Sequence, residues 1–130
     1  MKQLENNAYF WQKLDSLYFS SSVVIDRPKN SKHPKYDDMV YPVNYGYLTD
    51  TLSSDGAHVD VFIGSELSKK IKSIAVCTDI LKRDCEIKVL IGCNDDEEKE
   101  ILHLLNVSEN QKAILIRRGN DLSGWESDED

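Results

Sequence analysis

The sequence predicts a small β-barrel with peripheral helices. Three observations predict it: short β-branched or alternating runs separated by Gly- and Pro-marked turns, helical periodicity confined to two stretches near the ends, and a length of 130 residues that suits one domain. A parallel α/β sheet would need helical stretches between its strands, and the middle of the chain has none of convincing length. No internal repeat or low-complexity block is present.

The composition bounds the class. Hydrophobic residues make up 40% and charged residues 30%, an ordinary globular balance. The net charge of −7 argues against non-specific binding to nucleic acid or to an anionic membrane, both of which need a basic surface. An acidic protein acting on an anion would need cations as intermediaries. Cys77, Cys85 and Cys93 form no CxxC or Cys/His cluster, so they read as buried strand residues of a cytoplasmic protein rather than a zinc or redox site. No apolar run approaches the ~20 residues that cross a bilayer, and no signal-peptide layout opens the chain.

The first element is a helix over Ala8 to about Tyr18, with Phe10, Trp11, Leu14, Leu17 and Tyr18 at three- and four-residue spacing and Asn6 or Asn7 as its cap. It is read as a cover for the chain's own sheet, with self-association as a homo-oligomer left open. Val23-Val24-Ile25 then forms a strand ending at Asp26. Arg27 to Asp38 is a loop restricted by Pro28 and Pro34, and it is the most basic part of the chain: Arg27, Lys29, Lys32 and Lys35 lie within nine residues. Such a loop either stays solvated or contacts an anionic ligand.

Met39 to Tyr47 is extended, broken at Pro42 and Gly46. Asp55-Gly56 marks a turn into the alternating run His58 to Ile63, which puts Val59, Val61 and Ile63 on one face and His58, Asp60 and Phe62 on the other. One or two helical turns follow around Glu66 to Lys72, then a strand over Ser73 to Thr78 and a turn over Asp79 to Asp84. Cys85 to Gly92 alternates again, with Glu86 and Lys88 together on one face. Asn94 to Glu98 opens an acid-led helix with Ile101, Leu102 and Leu105 as its buried stripe, and His103 in it reads as structural or exposed. Lys112 to Arg118 is a last strand. The domain is expected to span 1–118, as helix 1–20, barrel core 21–93 and helix plus strand 94–118; the acidic tail 119–130 is expected to be disordered, with Trp125 able to tack it down.

The polar groups left over suggest chemistry. Asp26, Asp55, Asp60, Asp79, Asp84 and Glu86 would repel one another unless cations lay between them. Oxygen donors without a cysteine or histidine cluster favour Mg²⁺ or Mn²⁺. Together with Tyr41, Tyr45, Lys88 and the basic loop, this is equipment for phosphoryl chemistry.

These residues also resemble a known family. Tyr41-Pro-Val-Asn-Tyr45-Gly-Tyr47, followed by Asp55-Gly-Ala57-His58-Val-Asp60-Val, is similar to the soluble family I inorganic pyrophosphatase signature, Y-P-x-N-Y-G-[FY] then D-G-D-P-x-D-V. Val23 to Asp26 is similar to the strand that ends in the family's outer glutamate, and Asp84 to Lys88 to its later D-x-K strand. The resemblance implies a five-stranded OB-type barrel with flanking helices and Mg²⁺-dependent hydrolysis of pyrophosphate by a water held between metals. Carried over, Asp55, Asp60, Glu86 and Asp26 become metal ligands, with Asp79 or Asp84 supplying a further carboxylate. Lys88 and Tyr41 become phosphate-binding groups, and Tyr45 a hydrogen-bonding group near the nucleophile.

Two departures stand out. The water-activating middle aspartate of the signature is Ala57 here and its proline is His58, which lies on the Asp60 face and either assists the water or caps the strand. The Asp26 to Tyr41 segment lacks a hairpin that carries phosphate-binding lysine and arginine in the family, so Lys29 or Lys35 is expected to substitute. Two other functions stay open: hydrolysis of another phosphoanhydride, such as a nucleotide or polyphosphate, and a binding module without turnover.

Overall fold

The computed structural model describes residues 5–119, which form α1 (Ala8–Phe19), β1 (Val23–Arg27), β2 (Asn44–Leu48), β3 (Val59–Ile63), β4 (Ile71–Asp79), β5 (Asp84–Ile91), α2 (Asp95–Asn106) and β6 (Gln111–Arg117). The fold is mainly β, as the sequence predicts. The acidic tail and Trp125 lie outside the described residues.

The six strands form one sheet in the order β1-β2-β3-β5-β4-β6. β3 and β5 are parallel and every other neighbouring pair is antiparallel. There are six strands rather than five because β6 pairs along β4, leaving β1 and β6 as the two edges, so the strand order is open.

Strand alternation divides the core in two. Val61, Ile74, Val89 and Ile91 meet α1 through Trp11, with Leu14 and Tyr18 packed alongside. Phe62, Ala75, Cys77 and Leu90 meet α2 through Ile101, Leu104 and Leu105. The sheet is therefore covered on both faces, each large apolar side chain contributing about 1.5–3 kcal/mol by leaving water. Asp60, Glu86 and Lys88 share the strand parity of Phe62 and Leu90, so the polar groups continue the α2 face.

α1 starts where Asn7 accepts from the Phe10 N–H at 3.0 Å. Only part of the anticipated stripe is buried: Trp11 is 2% exposed, whereas Phe10 is 44% exposed and meets the Trp11 ring edge-on. α2 opens with a capping box between Asn94 and Glu97. Its buried stripe is Ile101, Leu104 and Leu105, not Leu102, an i, i+3, i+4 set that the packing on β4 and β5 selects. Glu98, one of the acids that lead the helix, is buried; it accepts from Ser73 Oγ at 2.6 Å and pairs with Arg117.

Other expectations are corrected. Residues 66–72 form no helix, because their backbone is taken up along the end of β5: Glu66 N donates to Gly92 O at 2.9 Å and Gly92 N to Lys70 O at 2.8 Å. Gly46 does not break the chain but sits inside β2, where a Cβ would lie 1.8 Å from Val24 O of the neighbouring strand. Cys77 and Cys93 are buried and Cys85 is exposed. Burial pushes the Cys77 thiol up to about 11 and that of Cys93 to about 12, which makes both poor nucleophiles. Among the described residues no helix is long and apolar enough to cross a membrane.

Candidate active site

The site begins on the three central strands. β2 supplies Tyr45, β3 supplies Asp60 and β5 supplies Glu86 and Lys88. Pairing puts Asp60 opposite Lys88 across the parallel β3–β5 ladder, and Tyr45 opposite Phe62. Lys88 Nζ then donates to Asp60 Oδ2 at 2.9 Å, Tyr45 Oη at 2.9 Å and Glu86 Oε1 at 3.1 Å. Tyr45 Oη donates in turn to Asp60 Oδ2 at 2.7 Å. An ammonium has three donors, and all three are engaged.

Burial opposes the charge on Lys88, but its neighbours Tyr45, Asp60 and Glu86 outweigh it and raise the pKa, so the ammonium stays protonated. Burial also raises the Tyr45 phenol, helped by Asp60 and opposed by Lys88, so Tyr45 acts as a neutral hydroxyl and not as a base. For Glu86 burial again leads: it raises the carboxyl above its ordinary value, the contact with Asp55 adds to this, and Lys88 opposes it.

A second group adjoins the first. Carboxylate oxygens of Asp55, Asp84 and Glu86 lie within 4.8 Å of one another. Asp55 reaches it from the turn before β3, where the positive φ of Gly56 bends the chain. Its carboxylate is held down to about 2 by hydrogen bonds from the Ser53 hydroxyl and the Ala57 N–H. Three hard oxygen donors this close, two of them half-buried, fit a divalent cation of the magnesium kind. Asp79 does not join, since its carboxylate accepts from the Leu81 and Lys82 N–H groups at 2.9 and 3.0 Å and holds the β4–β5 turn. Asp84 is the turn carboxylate brought to the group.

The remaining candidates are placed as follows. Tyr41 is buried, stacks on Tyr45 at 5.2 Å and accepts a hydrogen bond from Arg27. His58 precedes β3 and stacks on Tyr47 with centroids 4.7 Å apart. Asp26 is not in the carboxylate group: it falls in the register shift between Ile25 and Arg27, is 59% exposed and lies 4.0 Å from Arg27 Nε. Lys29 and Lys35 are exposed. The main-chain N of Lys29 donates to Asn44 at 2.8 Å, and its charge acts on Glu97 at the start of α2. The main-chain N of Lys35 donates to His33 Nδ1 at 3.0 Å.

Arg27, which the sequence offers only as one cation of the basic loop, joins the site through two aromatic rings. The Arg27 guanidinium lies over both the Tyr41 and Tyr45 rings, at 5.5 and 5.7 Å. Its position at the end of a β-branched strand and beside the basic loop was the available signal. The loop itself closes through an isolated antiparallel bridge between Lys32 and Val40.

The chain is similar to known proteins in sequence and in fold. The family model described as inorganic pyrophosphatase matches residues 20–115. An inorganic pyrophosphatase of Haemophilus ducreyi is 29% identical over 139 residues, covering 79% of this chain and 79% of that protein. One from Buchnera aphidicola is 34% identical over 77 residues, covering 55% of this chain and 43% of its own length. Among solved structures, an inorganic pyrophosphatase from Coxiella burnetii superposes with a TM-score of 0.53 at 18% identity, over 76% of this chain and 84% of that one. One from Neisseria gonorrhoeae gives 0.53 at 19% identity, over 69% and 77%. At such identities the structures speak for the fold alone; the family-model match spans most of the chain, and the chain belongs to the inorganic pyrophosphatase family.

Proposed function

We propose that this chain hydrolyses inorganic pyrophosphate to two phosphates, with Mg²⁺ as the working cation and Mn²⁺ as a substitute, in a cytoplasmic setting and without nucleic acid or membrane as partner. One observation carries the reading: in a member of this family, Asp55, Asp84 and Glu86 converge within 4.8 Å beside the Lys88–Asp60–Tyr45 network. When bound at those carboxylates, a divalent cation neutralises phosphate charge and makes water more acidic.

The chain's own residues supply orientation and charge. Lys88 meets a phosphate oxygen by giving up one of its three present acceptors, and Tyr45, neutral and fixed by Asp60, offers a hydroxyl beside it. Arg27 and Tyr41 border the same face. Asp60 orients both Lys88 and Tyr45, so it is the residue whose loss disturbs most contacts. The test is phosphate release from pyrophosphate by purified protein with and without Mg²⁺. Release should require the metal and vanish in Asp60→Ala; no metal-dependent release would overturn the proposal.

Binding without turnover is favoured by one observation, the methyl group of Ala57 beside Asp55, where only the backbone N–H takes part. An alanine side chain accepts no proton. Against this, losing one general base costs about 10²–10⁴ in rate and not the whole acceleration.

A further inference from the structure

The register shift at the end of β1 exchanges one side chain for another. Ile25 pairs with Gly46 and Arg27 with Tyr45, so Asp26 and Arg27 together oppose a single residue of β2. With an unbroken period of two, Asp26 would pair with Tyr45 and Arg27 would point to the other face of the sheet. The shift does the opposite. Asp26 is turned out and is 59% exposed, and Arg27 is turned onto the face that carries Tyr45, Asp60 and Lys88. This edge of the site thereby presents a guanidinium where an even strand would present a carboxylate.

The guanidinium is held in place and keeps donors in reserve. It donates to Tyr41 Oη, and its Cζ lies 5.5 Å from the Tyr41 ring centre and 5.7 Å from that of Tyr45. The two rings stack at 5.2 Å, so one cation braces both. An arginine side chain has five N–H donors, and the bond to Tyr41 is the one hydrogen bond that Arg27 makes with it among the described residues. Asp26 Oδ2 stands 4.0 Å from Nε, beyond hydrogen-bonding reach and screened by water. The Arg27 side chain is 30% exposed, half-buried yet open to a ligand.

The sheet fixes how this cation stands to the rest of the site. Arg27 is level with Tyr45 and Phe62, Lys88 is level with Asp60, and Glu86 lies one pleat further on. Lys88 therefore comes between the guanidinium and the carboxylate group. Lys88 Nζ is 5.3 Å from the same Tyr45 ring centre, so the two cations are at most about 11 Å apart. Allowing about 3 Å for a hydrogen bond at each end leaves up to about 5 Å, room for an anion with two phosphoryl groups. Neither the Lys29 nor the Lys35 ammonium makes a hydrogen bond or ion pair among the described residues.

We propose that Arg27 is a substrate-contact residue, its guanidinium donating to two oxygens of the phosphoryl group remote from Asp55, Asp84 and Glu86 while Lys88 meets the nearer one. This rests on the pyrophosphatase reading for the identity of the ligand. It adds to that reading an orientation of the substrate along the sheet, and it gives to a strand residue the role that the sequence offered to Lys29 or Lys35. A planar fork suits the task, since it matches two oxygens of one phosphoryl group.

The experiment uses full-length protein with ¹⁵N-labelled arginine and methylenebisphosphonate, a non-hydrolysable analogue of pyrophosphate, as the probe in the presence of Mg²⁺. The Arg27 Nε resonance, assigned by its disappearance in Arg27→Lys, should shift and saturate with the analogue. In calorimetric titrations Arg27→Gln should bind the analogue at least about tenfold more weakly, as loss of hydrogen bonds to a charged group predicts. Arg27→Lys keeps the charge but not the fork, and should still bind at least about threefold more weakly than the parent protein. In steady-state assays on pyrophosphate Arg27→Gln should raise KM with little change in kcat. A guanidinium that only braces the tyrosine rings predicts an unmoved resonance. That result, or parent affinity in Arg27→Gln, overturns the contact even where pyrophosphate is hydrolysed. A shifted resonance with weaker binding in Arg27→Gln, in a protein that releases no phosphate, upholds the contact and overturns the hydrolase reading instead.

Discussion

Lys88→Met is the sharpest perturbation of the site. Methionine keeps the unbranched stem that the buried β5 position holds and removes the ammonium. That ammonium sits 2.9 Å from Asp60 Oδ2 and 3.1 Å from Glu86 Oε1. A unit charge pair at such a distance is worth roughly 6 kcal/mol at an effective dielectric of about 20, before desolvation is subtracted. Removing one partner of a buried pair costs about 3–5 kcal/mol, because the charge left behind is uncompensated. The Asp60 and Glu86 side chains are 28% and 14% exposed, and water reaching them screens what remains. The expected loss is therefore at the lower end, about 3 kcal/mol, or a urea midpoint lower by about 1.5 M for a slope near 2 kcal/mol per molar. The assay is urea unfolding at pH 7.5 with chelator present. Adding Mg²⁺, or lowering the pH to protonate the carboxylates, should return part of the loss. A midpoint within about 0.3 M of the parent protein would refute the reasoning, since the ammonium would then hold nothing together.

Three further outcomes are expected. Ala57→Asp should raise the pyrophosphatase rate by about 10²-fold by supplying a proton acceptor beside Asp55; an unchanged rate in the Mg²⁺ assay would mean that another group already does this work. Gly46→Ala should destabilise by about 1–3 kcal/mol or more in thermal or urea unfolding, because its Cβ would fall 1.8 Å from Val24 O and both strands would have to separate. Glu86, whose folded pKa is raised above 4.5, contributes stability that is complete below 4.5 and lost as pH rises through the raised value. In metal-free melts across that window Glu86→Gln should flatten the decline, and parallel curves for the two proteins would contradict the assignment.

What the sequence made legible was whatever depends on strand alternation. Asp60 on the face opposite Val59, Val61 and Ile63, and Glu86 on the face of Lys88, follow from a period of two and hold in the sheet. Asp26, a metal ligand only by the family resemblance, is not in the carboxylate group: a register shift after Ile25 disturbs the period at that residue, and no local signal announces a bulge. The choice between Asp79 and Asp84 was likewise closed to the sequence, since it depends on which carboxylate is consumed by the turn's own N–H groups. The buried Glu98 shows the reverse difficulty: an acid in the first turn of a helix reads as solvent-facing until Ser73 and Arg117 are found beside it.

The site draws its two halves from different kinds of structure. Tyr45, Asp60, Glu86 and Lys88 come from the central strands, where pairing on both sides protects the backbone, while Arg27 and Asp55 come from a strand end and a turn. Opening the first half means breaking the sheet; opening the second requires only local motion. Substitutions in the strand half should thus be felt in both folding and turnover, whereas the loop half is free to vary with little effect on stability. Changes in the loop half that spare Asp55 therefore leave the strand scaffold intact, and a directed-evolution campaign for a new substrate would find its tolerated changes there.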